Sequence, residues 1–220
     1  RKLRKIDPNR KPKKPIDKYI WLAGHFATLF FSLVYFGYYF TFSSRRSIIA
    51  KISYKIVLLG IIFAYSVSMK STFGKVPPGY FTLLSTDNFQ YLLLSFVWLF
   101  NRNSAFKILP YFIISILQIS DHFKIDAILK YEFEFKLIIE YNELFLFVLL
   151  TFDTLLCRGT SGYALVMFAL FFSLKIMFND NIRQFIYSFV VRLDGVMSKQ
   201  KNEKILTLWT DIKNFLDKKK

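Results

Sequence analysis

Long apolar runs separated by short polar stretches make up most of the chain after its first 18 residues. The first run, 19–42, has 24 residues without a formal charge. As a helix it measures about 36 Å, enough to cross a hydrocarbon core of about 30 Å with some tilt. Tyr19 and Trp21 at one end, with Tyr38 and Tyr39 at the other, lie where an aromatic belt forms. This run predicts a transmembrane helix.

A second apolar run, 52–69, begins among lysines. Lys51 and Lys55 flank its start and Lys70 its end, which leaves an uncharged stretch of 14 residues, 56–69. That stretch spans a bilayer if Lys55 extends its ammonium group to the interface, as lysines near helix ends commonly do. We therefore predict a second span.

The later runs come in two pairs, each joined by a short, turn-rich segment that is typical of a hairpin tip. Runs 89–100 and 105–120 are joined by NRNS, and runs 137–157 and 163–178 by RGTSG. Twelve residues give only about 18 Å, so the first pair is either a wedge that enters and leaves one leaflet or two spans with snorkelling ends. Between the pairs, 121–140 has a mixed pattern that predicts an interfacial helix.

The C-terminal tail has the clearest amphipathic pattern, with apolar residues at i, i+3, i+4, i+7, i+8 and i+11. The first stripe consists of Ile182, Phe185, Ile186, Phe189, Val190 and Leu193. After a polar linker, a second stripe consists of Ile205, Leu208, Trp209, Ile212 and Phe215. The basic residues beside them include Arg183, Arg192, Lys204 and Lys213. Such helices suit an acidic membrane surface or the groove of a partner, and we predict that these residues bind the membrane surface.

These patterns predict an all-α integral membrane protein with two N-terminal spans, two helical hairpins (spanning or re-entrant) and C-terminal amphipathic helices. We divide it into a basic disordered cytoplasmic arm (1–18), a membrane domain (19–178) and a basic amphipathic cytoplasmic tail (179–220). The predicted membrane segments are 19–42, 52–69, 89–100, 105–120, 137–157 and 163–178. The sequence begins at Arg1 and not at Met, so we expect further residues before it.

Composition supports lipid as the solvent, because a soluble domain of 220 residues has no interior for 27 Phe and 13 Tyr. The net charge of +16 is concentrated at the ends, with nine Lys or Arg in 1–18 and nine in 179–220. By the positive-inside rule both termini are cytoplasmic. The loop with Arg45, Arg46 and Lys51 disagrees, because this topology places it in the lumen. We expect no nucleic-acid partner, since the charge does not follow a groove-sized face.

The sequence predicts neither a metal site, a cofactor site nor a catalytic residue. It has one cysteine, Cys157, and two distant histidines, His25 and His122. It contains no Gly-rich phosphate loop, HExxH helix or nucleophile elbow. His122 and Asp126 are one residue too close for the His/Asp pattern of membrane acyltransferases, which leaves a lipid-modifying enzyme as a minor alternative.

Ionisable groups inside membrane segments are functional candidates by default, yet a structural role is the more common one. Glu143 adjoins an acidic stretch, and His25 lies one turn inside the first run, where we expect an interhelical hydrogen bond. Asp153 is surrounded by apolar neighbours, and a pair with Arg158 would satisfy it. We predict structural polar roles for all three.

Four stretches resemble the transmembrane protein 33 family: WLAGHFATLFFSLVY (21–35), YLLLSFVWLF (91–100), ILPYFIISILQ (108–118) and YNELFLFVLL (141–150). The resemblance runs in order over about 19–195, and its most distinctive parts are Gly24-His25 and Asn142-Glu143. Asn142 and Glu143 match the family's Asn-Glu pair, and their place at a segment mouth suggests a structural hydrogen bond.

The resemblance implies a non-enzymatic protein of the endoplasmic reticulum and nuclear envelope that shapes or organises curved membrane. In the fungal branch it implies a part in nuclear pore complex distribution or assembly. The implied partners are an anionic, curved bilayer, reticulon-type proteins, nucleoporins and nuclear import receptors. A small channel or transporter is the alternative, since the two hairpins hint at duplication. The oligomeric state is left open.

Overall fold

The computed structural model describes residues 15–74, 78–157 and 161–197, together with Thr207 and Thr210. This part of the chain forms helices and no strand, which confirms the predicted all-α fold. Residues 1–14 of the predicted disordered arm lie outside the described residues, and so do most of the residues in 198–220. The helices are α1 (Pro15–Phe40), α2 (Ile48–Phe73), α3 (Tyr80–Leu84), α4 (Asp87–Leu99), α5 (Ala105–Phe123), α6 (Asp126–Leu129), α7 (Glu132–Leu155), α8 (Ser161–Phe178) and α9 (Asp180–Met197).

Helices α1 and α2 are the two described helices that are each long and apolar enough to cross a membrane, as predicted. Each has 26 residues, or about 39 Å. Phe30, Leu33 and Phe63 on these helices are more than half exposed, which gives each span an apolar surface toward lipid. Together α8 and α9 meet the same criteria only as a pair broken at Asn179.

Helix α2 extends beyond the predicted run at both ends because capping residues, and not the apolar pattern, set its limits. Ser47 Oγ accepts a hydrogen bond from the Ala50 N–H at 3.3 Å and so caps the N-terminus. At the other end Gly74 has φ 72°, a conformation that glycine adopts without strain. Lys51, Lys55 and Lys70 therefore all lie within the helix.

The backbones of α1 and α2 are in direct contact at Gly24 and Gly60. A Cβ atom on Gly24 would lie 2.5 Å from the Gly60 carbonyl oxygen, and one on Gly60 would lie 2.8 Å from the Gly24 carbonyl oxygen. Thr28, one turn after Gly24, donates its hydroxyl to Gly24 O at 2.9 Å and approaches Val57 O at 3.3 Å. Small residues four apart on both helices, here also Ala64, are the usual means of close helix packing in membranes.

Helices α4 and α5 correspond to the two segments of the first predicted hairpin, and residues 100–104 connect them. Helix α4 packs against α2, and α5 packs against α1, α2 and α7. With 13 residues α4 measures about 20 Å, about half the length of α2. The five largest of the fully buried side chains in the described residues are aromatic: Tyr35, Tyr54, Trp98, Tyr111 and, from α8, Phe168.

A single interfacial helix over 121–140, as predicted, does not form. Helix α5 continues to Phe123 and ends at Lys124, whose φ of 57° places it in the left-handed region and reverses the chain. The four-residue α6 follows, and α7 already begins at Glu132.

The chain divides into two compact units, residues 1–174 and 175–220. Unit 1 contains α1 to α7 and most of α8, and unit 2 contains α9. The proposed division into arm, membrane domain and tail remains a prediction.

We expect Gly24→Ala to lower the free energy of unfolding by about 1–3 kcal/mol, because the new methyl group must push the α1 and α2 backbones apart. Gly37→Ala is the matched control, since a Cβ on this α1 glycine would meet nothing within 4 Å. The control should be neutral or slightly stabilising. Unfolding of both variants in mixed micelles, followed by circular dichroism, tests this; equal midpoints for the two would show that the crossing tolerates a side chain.

Candidate functional site

Helix α9 presents the first predicted stripe of the tail along one face. Asn179 caps this helix, its Oδ1 accepting from the Asn181 N–H at 3.1 Å. Arg183 pairs with Asp180. Among the stripe residues Ile182 is buried, Val190 is exposed, and the remaining four are partly exposed: Phe185, Ile186, Phe189 and Leu193.

The other side chains of α9 include Gln184, Ser188 and Arg192, all exposed. Binding of this helix to a membrane surface remains a prediction. The second stripe lies outside the described residues, as do the basic residues beside it: Lys204, Ile205, Leu208, Trp209, Ile212, Lys213 and Phe215.

His25 connects α1 to α5. Its imidazole is fully buried, and Nδ1 lies 2.9 Å from Ser115 Oγ. The Trp21 ring packs edge-on against it, with ring centroids 4.7 Å apart. This is the interhelical hydrogen bond expected of a histidine inside a span.

Glu143 connects α7 to α4. The Tyr91 hydroxyl donates to Glu143 Oε1 at 2.6 Å, and both side chains are buried. Tyr111 of α5 in turn donates its hydroxyl to the Tyr91 carbonyl oxygen at 3.1 Å. A buried carboxyl group is costly unless it is hydrogen-bonded, so this bond stabilises the position of Glu143 relative to α4.

Asn142 satisfies a carbonyl group that Pro110 leaves without a helical partner. Pro110 lies inside α5 and has no N–H, so the carbonyl of Phe106, four residues earlier, loses its helical hydrogen bond. Asn142 Nδ2 donates to this oxygen at 2.9 Å. Because water is absent from the hydrocarbon core, such a carbonyl must find a donor within the protein.

Asp153 lines a cavity of about 940 Å³ in unit 1, near the end of α1 and the start of α2. Lys107, which the sequence analysis did not single out, lines the same cavity and is 4% exposed. Its ammonium group donates to Asn101 Oδ1 and, at 2.9 Å, to the Arg102 carbonyl, and it lies 4.7 Å from the centroid of the Trp98 ring. The negative charge of Asp153 also attracts the Lys107 ammonium group. Arg158, the partner expected for Asp153, lies outside the described residues.

The sequence carried a signal for Lys107, namely a lysine placed between apolar residues just after the NRNS tip. Within the described residues no three His, Cys, Asp or Glu side chains are placed to hold a metal ion. The His122 ring packs between Trp21 and Phe123, and Asp121 forms an ion pair with Lys124.

The fold and these contacts define an all-helical membrane protein whose embedded polar groups hold its helices together. The chain is similar to two proteins of Saccharomyces cerevisiae. One is the uncharacterized membrane protein YGR026W, 28% identical over an alignment of 260 positions that covers 97% of this chain and 91% of that protein. The other is the pore membrane protein of 33 kDa, 22% identical over 209 positions, or 82% of this chain and 75% of that protein.

Both relatives are consistent with the transmembrane protein 33 family, which confirms the resemblance drawn from the four sequence stretches. No profile of a known protein family matches the chain. No solved structure matches it either.

We expect Asn142→Ala to destabilise unit 1 by about 1–3 kcal/mol, because it leaves the partly buried Phe106 carbonyl without a donor. In a Pro110→Ala background the alanine N–H can bond to that carbonyl, so Asn142→Ala should cost at least about 0.5 kcal/mol less there. A double-mutant cycle of unfolding free energies measures this coupling.

The control for this cycle is Asn88→Ala, which removes the interhelical bond from Asn88 Nδ2 to Ser68 Oγ at 3.1 Å. Its cost should be the same with and without Pro110. Additive effects of Pro110→Ala and Asn142→Ala would mean that the side-chain amide does not replace the missing helical bond.

Proposed function

We propose that this chain is a non-enzymatic membrane protein of the endoplasmic reticulum and nuclear envelope that organises curved membrane. The proposal extends to a contribution to nuclear pore complex distribution or assembly, with both termini in the cytoplasm. The observation that carries it is α9, an 18-residue helix with one continuous apolar face beside exposed polar and basic side chains. A helix of this kind lies in the interface, inserts its apolar face into one leaflet and is sensitive to curvature.

The short α4 adds to this. A helix of about 20 Å is shorter than a bilayer is thick, so the lipid beside α4 is thinned locally. Unequal leaflet areas bend a bilayer toward the wider leaflet. Insertion of the apolar face of α9 adds area to one leaflet.

The link to the nuclear pore rests on a relative. The yeast protein with which this chain is 22% identical is named a pore membrane protein. The partners that we propose on the strength of the family resemblance are reticulon-type proteins, nucleoporins and nuclear import receptors. An anionic, curved bilayer is the partner that the basic tail itself favours.

A non-enzymatic role accords with what the embedded polar groups do. His25, Asn142 and Glu143 each make a hydrogen bond to a neighbouring helix at 2.6 to 2.9 Å. In a catalytic site such groups would converge on a shared space for substrate. Here each one connects a different pair of elements. Ion or solute flux through the reconstituted protein would instead support the alternative, a small channel or transporter.

The test is the shape of anionic vesicles that carry the full chain at high density, observed by electron microscopy. Wild type should convert them into tubules or small vesicles. Phe185→Asp with Phe189→Asp should require at least about ten times the protein density for the same effect, since burying one Phe side chain is worth about 1.5–3 kcal/mol.

The matched control is Gln184→Asp with Ser188→Asp. It adds the same two negative charges with the same spacing, but at exposed polar positions of α9. It should remodel vesicles as wild type does. Vesicles left flat by wild type, or equal loss in both double variants, would contradict membrane shaping by the apolar face.

A further inference from the structure

The loop between α1 and α2 is rich in cations and is the part of the sequence that disagrees with the predicted orientation. Arg45, Arg46, Lys51 and Lys55 follow one another there without an acidic residue. Such a segment is unfavourable on the lumenal side unless something holds its charges there. The structure gives three of these four cations, Arg45, Lys51 and Lys55, a common location on the wall of the cavity next to Asp153.

Five cationic side chains and one carboxylate line this cavity. The cations come from separate elements: Arg45 from the loop after α1, Lys51 and Lys55 from α2, Arg102 from the hairpin tip and Lys107 from α5. Since Asp153 is the one acidic residue among the described side chains that line the cavity, these side chains carry a net charge of +4. A wall of this charge attracts an anion.

Lys51 and Lys55 are the side chains best placed to bind that anion. They lie one turn apart on α2, about 6 Å along its axis, so their ammonium groups can reach the same phosphate. Lys107 already donates to Asn101 and Arg102 and interacts with Asp153. Among the described residues neither Lys51 nor Lys55 forms an ion pair.

The remainder of the cavity is apolar. This wall contains three apolar side chains of α2 and three leucines of α7: Ile52, Ile56, Leu59, Leu146, Leu149 and Leu150. Ile52 is 53% exposed and Leu59 is 42% exposed, so the wall is continuous with the surface that α2 presents to lipid. A cavity with a cationic end and an apolar wall open to lipid fits a molecule with an anionic head and an acyl chain.

We propose that this cavity binds an anionic phospholipid from the surrounding leaflet, with its phosphate on Lys51 and Lys55 and an acyl chain along Leu149 and Leu150. The inference goes beyond membrane shaping and does not depend on it. It also accounts for the basic loop, because the charges that oppose the orientation rule are those that hold the headgroup.

The experiment is native mass spectrometry of the full chain, purified in mild detergent and titrated with phosphatidylserine, phosphatidylinositol or phosphatidylcholine. Wild type should retain one anionic lipid in preference to phosphatidylcholine. Lys51→Gln with Lys55→Gln should weaken binding of the anionic lipid roughly 30-fold, about fivefold for each lysine lost near a phosphate. The control, Lys124→Gln with Lys130→Gln, removes two exposed lysines that do not line the cavity and should bind as wild type does.

A second variant separates lipid from a soluble phosphate. Leu149→Trp keeps all five cations, but its larger side chain fills part of the cavity next to the apolar wall. It should therefore lose lipid binding, while circular dichroism shows unchanged helix content. Glycerophosphoserine, the headgroup without acyl chains, should compete poorly with phosphatidylserine. Undiminished lipid binding by the lysine pair variant would overturn the site, and competition by glycerophosphoserine equal to that of the whole lipid would overturn the assignment to a lipid.

Discussion

The arrangement of this protein depends on the contact between the backbones of α1 and α2 at Gly24 and Gly60. In lipid the hydrophobic effect does not drive one helix onto another, so association relies on close van der Waals packing. Two glycines that face each other allow the carbonyl groups to approach within the space that a Cβ atom would fill. With this pair fixed, α2 offers a surface for α4 and α1 offers one for α5.

A second constraint is that backbone groups in the membrane must find partners inside the protein. Thr28 donates to the carbonyl of Gly24 at the crossing, and Asn142 donates to the carbonyl that Pro110 leaves open. Polar side chains are rare in spans, and those that occur there are functional candidates by default. The contacts of Thr28 and Asn142 show that they complete the hydrogen bonding of neighbouring helices.

The sequence predicted the helices well and their partners poorly, for a physical reason. Apolar runs and 3.6-residue periodicity are local, so the existence of α1, α2 and α9 could be read directly. The ends of α2 depended on Ser47 and Gly74, which lie outside the apolar run. Each helix has small residues four apart, Gly24 and Thr28 on α1 and Gly60 and Ala64 on α2, and this spacing was a readable signal for the crossing.

Contacts between distant segments could not be read in this way. Asn142 bonds to a carbonyl 36 residues earlier, and Glu143 bonds to a tyrosine 52 residues earlier. The cavity gathers side chains from four helices and two loops. Its charge was visible only as an excess of cations in one loop, which by sequence alone was a conflict with the orientation rule and not a site.

The unequal lengths of neighbouring helices have a consequence for the thickness of the bilayer around the protein. Beside α2 the annular lipid meets a helix of about 39 Å, and beside α4 one of about 20 Å. Hydrophobic mismatch costs a fraction of a kcal/mol per Å, and a hydrocarbon core of about 30 Å is too thin for an upright α2 and too thick for α4. The thickness of the surrounding lipid must therefore change from one side of the protein to the other, or α2 must tilt.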